Sequence, residues 1–318
     1  RIYVFGGLDI SAYLIDPQNA GKHLAAYVDT LITMGCDGIK MIEGKPDTRK
    51  LLSIPPFDSE VYEPYWQKVM EQGVPVVFHV NDPEEFWDEK DVPDWARKQG
   101  WFYGDGSYVN NEEQYSEVIH VLEKFHDLKV IFAHFFFLSA QLERLATYLD
   151  RFPNMYIDLT PGIEMYFNFS SDPDKTREFF LKYQDRIIFG TDIGATALSN
   201  NPEDGIDPID SRTRVQVVRN FLELDGEFWF EEGAASLFGK QTVPFQGIHL
   251  PPHVLKKIYR TNFEKLAGTI PSPLKPSAII KECERIIQTI QIVGSASPNS
   301  RVDTSVVDMV KDYFLNKA

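Results

Sequence analysis

Residues 74–80 read VPVVFHV, a short run of β-branched and apolar residues that begins just after Gly73 and carries a histidine near its end. Apolar character on both faces marks a strand covered on both sides. The same reading applies to KVIFAH at 129–134 and RIIFGT at 186–191, and to strands at Arg1–Leu8, Asp37–Ile42 and Met155–Leu159. Helical spacing occupies the gaps. Leu24, Val28, Leu31 and Ile32 place a helix in 17–34 that stops at Gly35, and a Ser59 cap and Gly73 bound the next one, 59–72. Further helices are predicted at 112–125, 139–150 and 172–183, the last opened by Asp172 and Pro173. Strands that alternate with helices pair in parallel, because each crossover returns the chain to the same end of the sheet. Periodicity alone leaves a barrel and an open, doubly covered sheet equally admissible, and six strands fall short of the eight a closed barrel needs.

Composition narrows the function. The chain has 318 residues, 43% hydrophobic and 25% charged, ordinary for a folded enzyme. Acidic residues outnumber basic ones 47 to 32, a formal charge of -15 that repels nucleic acid and anionic lipid. We therefore expect no nucleic-acid and no membrane partner, and a small-molecule substrate. The longest apolar run, 130–140, is well short of the ~20 residues that span a bilayer. Cys36 and Cys283 stand far apart without metal-type or redox spacing, which suits a cytoplasmic protein.

Two regions interrupt the alternation. Residues 81–111 form a long excursion with Trp87, Trp95 and Trp101, either a lid over the site or a small satellite core. After Pro276, helices at 277–290 and 304–315, joined by a turn-rich linker at 294–299, form an extension expected to pack on the main body or on a partner subunit, a homodimer being allowed for.

His79, His134 and Asp192 each lie at or near the C-terminal edge of a separate strand. In a barrel those edges converge on one mouth. Two imidazoles and a carboxylate suit a divalent ion such as zinc, which acidifies its bound water to a pKa of ~7. Singly, each has a plainer account as a hydrogen-bonded strand end or a helix cap; their coincidence favours a site. Lys40 is read as a substrate-binding cation or carbamylated bridge, with an ion-paired lysine as the plainer account. Glu43 is placed at a strand exit, in reach of substrate or in a solvated loop. Asp158, Glu164 and the aromatic run 165–169 are expected to line the pocket. His23, His120 and His126 are read as surface residues.

In order along the chain, GCDGIKM (35–41), VPVVFHV (74–80), LKVIFAH (128–134), RIIFGTD (186–192) and LPPHVLKKIYRTNFEKLAG (250–268) resemble the amidohydrolase-related proteins of the aminocarboxymuconate-semialdehyde decarboxylase type. The resemblance implies an α/β fold, a (β/α)8 TIM-like barrel over residues 1–275, N-terminally incomplete at about six of eight strands, with helices at 276–318. It makes His79 and Asp192 metal ligands and His134 a catalytic residue or accessory ligand beside them; Asp192 is also expected to take the proton. The implied cofactor is one divalent ion, Zn2+ first and Mn2+ second. The implied activity is hydrolysis of an amide, ester or lactone bond, with non-oxidative decarboxylation of an aromatic or enol-type acid as the alternative. The family's His-x-His pair is missing here. We expect it, with two strands, upstream of Arg1; the competing reading is a non-catalytic barrel that has lost its metal.

Overall fold

The computed structural model describes residues 1–162, 164–194, 207–230, 241, 243–296 and 303–317. Six strands, β1 (Phe5–Gly7), β2 (Gly38–Gly44), β3 (Val76–Val80), β4 (Val130–Phe132), β5 (Met155–Asp158) and β6 (Ile187–Ile188), lie side by side in chain order, every pair parallel. The fold is an α/β, incomplete TIM-like barrel. Among the described residues β1 and β6 do not pair, so the sheet curls without closing.

The helices follow the chain: α1 (Ser11–Ile15), α2 (Ala20–Met34), α3 (Pro46–Leu51), α4 (Glu63–Gln72), α5 (Asp94–Lys98), α6 (Asn111–Lys124), α7 (Leu142–Arg151), α8 (Met165–Ser171), α9 (Pro173–Lys182) and α10 (Pro208–Glu223). Leu24 and Val28 of α2, Trp66 and Val69 of α4, and Leu145 and Leu149 of α7 pack onto Val76, Phe78, Val130, Phe132, Met155 and Ile157. Each side chain so buried stabilises the fold by roughly 1.5–3 kcal/mol. The alternate strand residues face inward. Lys40, Val77, Ile131 and Tyr156 stand in one register row, and the period of two puts His79 and Asp158 on that same inner face, nearer the C-terminal ends.

Several expected boundaries move. The first strand begins at Phe5, not Arg1. Helix α4 starts at Glu63 because Pro64 presets its first turn, while the Ser59 hydroxyl binds Pro56 O instead of capping. Helix α7 starts at Leu142, not Ser139. Residues 165–169, expected in the pocket wall, belong to α8, and Met165, Tyr166 and Phe169 are wholly buried in the main core. Two unexpected strands, β7 (Asp225–Phe228) and β8 (Phe245–Ile248), form an antiparallel pair.

The chain then returns to the open side of the sheet through α11 (Pro252–Lys256) and α12 (Asn262–Ala267). Asn262 Nδ2 donates to Ile187 O at 2.8 Å, and Phe189 N–H donates to Ile258 O at 3.0 Å, so this segment covers the β6 edge. Phe263 packs edge-on to Tyr3 at 5.0 Å, next to β1. A cavity of about 570 Å³ between the two edges is lined by Tyr3, Ile188, Phe189, Tyr259 and Phe263. Helix α13 (Pro276–Ala296) runs through residues 294–296, where a linker was expected; the rest of that linker, 297–299, lies outside the described residues. It lies on α2, with Tyr27 Oη donating to Glu282 at 2.9 Å, and packs with α14 (Ser305–Leu315). No helix among the described residues is long and apolar enough to cross a membrane.

Candidate functional site

Two local devices set the central histidines. At β3, Gly44 allows β2 to approach so closely that a Cβ there would overlap the His79 carbonyl. Asn81 then turns the chain with φ 68°, a left-handed conformation that asparagine tolerates. Its N–H donates to Gly44 O at 2.9 Å, its Nδ2 donates to Asn111 O at 3.1 Å, and its Oδ1 accepts from Gln114 at 2.6 Å. Gln114 in turn accepts from Arg49, whose guanidinium is ion-paired with Glu117 at 2.7 Å. This buried network is internally satisfied and fixes the turn that follows His79.

Beyond β4 the backbone takes four successive left-handed residues, His134, Phe135, Phe136 and Phe137, with φ of 54°, 55°, 59° and 53°. Such residues cost roughly 1–2 kcal/mol each. Burial of Phe135 and Phe136 offsets that cost, with Phe136 stacked on Phe132 at 4.0 Å and Phe135 parallel to Phe180 at 5.7 Å. Asp158 Oδ1 accepts the His134 N–H at 3.0 Å and so pins the turn to the end of β5.

As a result the His79 and His134 rings meet edge to face, 4.8 Å between centroids, with Phe137 against both. Both are buried, and neither His79 Nε2 nor His134 Nδ1 has a hydrogen-bond partner. Burial, then the charges of Lys45 and Lys40, hold the His79 imidazolium pKa well below its ordinary range. Burial, then His79, lower that of His134 to about 4. Both rings are therefore neutral near pH 7, the form that ligates metal or accepts a proton.

Asp192 is placed differently. It follows β6 with φ 52°, its side chain is 53% exposed, and its Oδ2 stands 3.6 Å from Arg214 Nη1. Its charge still reaches the site, since it favours the protonated forms of Lys40, His79 and His134. Lys40 is lowered from its ordinary pKa by burial, against the opposing pull of Asp158 and then Asp192. Asp158 spends Oδ1 on the amides of His134 and Thr160, both at 3.0 Å. Glu43 is not in a solvated loop: it is 1% exposed, Oε2 accepts the Ile42 N–H at 2.9 Å, and burial lifts its pKa to about 7. Glu164 has neither carboxylate oxygen partnered, and burial lifts it to about 8. His23, His120 and His126 have largely exposed side chains.

Three residues escaped the sequence reading. Asp82, three positions after His79, brings Oδ1 to 3.4 Å from His79 Nε2 and accepts the Tyr103 hydroxyl on Oδ2 at 2.7 Å. Its spacing from His79 was the available signal. Tyr103 belongs to the tryptophan-rich excursion, which is a satellite core of Phe86, Val92, Ala96 and Tyr103 that also reaches the site through this bond. Arg214, on a helix 22 residues beyond Asp192, carried no local motif.

The described residues fit a metal ion only in part. Two buried, unpartnered imidazole nitrogens side by side fit two ligands. Yet among the described residues no three His, Cys, Asp or Glu side chains gather closely enough to hold an ion. The described chain thus offers part of a coordination sphere.

A family model described as Amidohydrolase matches residues 17–266. A search of curated proteins returns no match. Among solved structures, the chain is similar to 2,6-dihydroxybenzoate decarboxylase from Rhizobium, at 15% identity over 84% of this chain and 71% of that one, with a TM-score of 0.45. It is also similar to an uncharacterised TIM-barrel protein from Bordetella bronchiseptica (17% identity, 78% of this chain, 63% of that one, TM-score 0.41). A third is 5-carboxyvanillate decarboxylase from Sphingomonas paucimobilis (13% identity, 84% of this chain, 66% of that one, TM-score 0.42).

Proposed function

This chain belongs to the amidohydrolase family, and on that premise we propose that it is a metal-dependent hydrolase of an amide, ester or lactone bond in a small molecule. The observation that carries the reading is the neutral, buried pair His79 and His134, with a free nitrogen on each ring. His79 and Asp192 would hold a divalent ion, zinc first and manganese second. When bound, the ion supplies Lewis acidity and a water of pKa ~7.

The protein groups divide the remaining work. Asp192, whose side chain is exposed to solvent, would also serve as the base that takes a proton from water. His134, fixed by Asp158, stabilises negative charge that develops on the substrate oxygen. Lys40, on the inner face and under the electrostatic influence of Asp158 and Asp192, would orient an anionic or carbonyl group of the substrate. Asp158 acts through His134, Glu164 would line the substrate pocket, and Glu43 supports β2 from a buried position.

A second reading, non-oxidative decarboxylation of an aromatic or enol-type acid, is favoured by Lys40, a half-buried ammonium suited to a substrate carboxylate. Turnover of lactones, small amides and aromatic acids by the full chain, before and after chelation and after return of zinc or manganese, tests both. Chelator-sensitive hydrolysis supports the first reading; chelator-sensitive CO2 release moves the assignment to the second. Turnover indifferent to chelation removes the metal from the account.

A further inference from the structure

We propose that Arg214 is a substrate-binding residue and that the substrate presents it with a carboxylate. The inference rests on the proposed function only in taking the Asp192 end of the sheet as the substrate mouth. Arg214 lies on α10 and is 9% exposed. Its Nε donates to Asp210 Oδ2 at 2.6 Å, which fixes the guanidinium plane. Its Nη1 is buried and has no hydrogen-bond partner. Among the described residues the carboxylate facing it is Asp192, whose Oδ2 at 3.6 Å neutralises charge but is too far to accept an N–H.

A buried guanidinium N–H left open is costly in a folded protein and is seldom left so without use. Here it stands 3.6 Å from Asp192, a carboxylate of the candidate site that is exposed to solvent, and a ligand carboxylate that displaces the Asp192 side chain would take its place at Nη1. Arginine presents rigid donors that match a planar carboxylate. The flanking Asp192 and Asp210 favour a monoanion over a dianionic phosphate, because each added negative charge is repelled by both. A neutral amide, by contrast, offers a weaker acceptor and gains little from the guanidinium.

The test is the binding of benzoate and of its neutral isostere benzamide to the full chain, by titration calorimetry, with Arg214→Met, Arg214→Gln and Arg214→Lys as variants. The wild type is expected to prefer benzoate. Arg214→Met and Arg214→Gln should weaken benzoate by about 10- to 100-fold and leave benzamide unchanged, the scale of one charge-assisted hydrogen bond. Arg214→Lys should recover part of the preference, and all three should keep the wild-type metal content. Thermal unfolding shows which variants fold, and the lysine variant preserves the charge should the neutral ones fail to fold. No benzoate preference in the wild type, or an unchanged preference in a folded Met or Gln variant, overturns the proposal. Because benzoate binding is read without turnover, a failed metal assignment would show separately, as absent metal.

Discussion

Asp158 Oδ1 accepts the backbone N–H of His134 at 3.0 Å, linking the end of β5 to the first of four left-handed residues. The same oxygen takes the Thr160 N–H at 3.0 Å, so one buried carboxylate holds two turns at the site. Asp158→Ala leaves both donors buried and unpaired and should cost ~1–3 kcal/mol for each. Asp158→Asn keeps a carbonyl oxygen at that place and should retain much of the stability. Denaturant unfolding of the two variants checks this; equal losses would mean that the carboxylate charge, not the acceptor, holds the turn.

Tyr103 reaches out of the satellite core to donate to Asp82 Oδ2 at 2.7 Å. Tyr103→Phe removes only that hydroxyl, and a buried carboxylate oxygen without its donor should cost ~1–3 kcal/mol of stability. Turnover should fall as well, since Asp82 stands 3.4 Å from His79. A Phe variant as stable and as active as the wild type would reduce the excursion to packing.

Burial lifts the Glu43 pKa from 4.5 to about 7. A raised folded pKa means that this residue's contribution to stability is full below pH 4.5 and is lost as pH rises toward 7. At about 1.4 kcal/mol per unit the loss amounts to ~3 kcal/mol. His134, lowered to about 4, works in the opposite direction between pH 6.5 and 4, so the comparison must be made against a variant. Glu43→Gln should gain on the wild type between pH 5 and pH 8 by about that amount. A constant difference across the range would show that Glu43 does not titrate there.

Asp192→Asn keeps the shape of the side chain but removes its negative charge and its basicity, and should lower turnover by at least ~10²-fold. His23→Ala should leave turnover intact, because His23 is an exposed residue near Asp16 on the outer side. Wild-type turnover in Asp192→Asn with metal content unchanged would leave Asp192 only its pairing with Arg214.

The strands were legible because each is a short apolar run whose alternate residues pack outward on helices, as Val76, Phe78, Val130 and Phe132 do. The pairing of His79 with His134 was legible for the same reason: both sit where parallel strands end. The left-handed path of residues 134–137 was not, because AHFFF continues the apolar pattern of a strand and only the distant acceptor on Asp158 and the aromatic packing reverse it. The surface placement of Asp192 was hidden likewise. Its neighbour Arg214 comes from α10, a helix with Asp207 as its cap and Pro208 at its start that the sequence reading passed over.

The most direct test of the central claim is the zinc and manganese content of the purified full chain, measured beside His79→Ala and His134→Ala. The account predicts about one equivalent in the wild type, as in a mononuclear site. The expected results are loss of that metal in His79→Ala and loss of turnover in His134→Ala. A wild type that binds no divalent ion, or a folded His79→Ala variant that binds as much as the wild type, would contradict it.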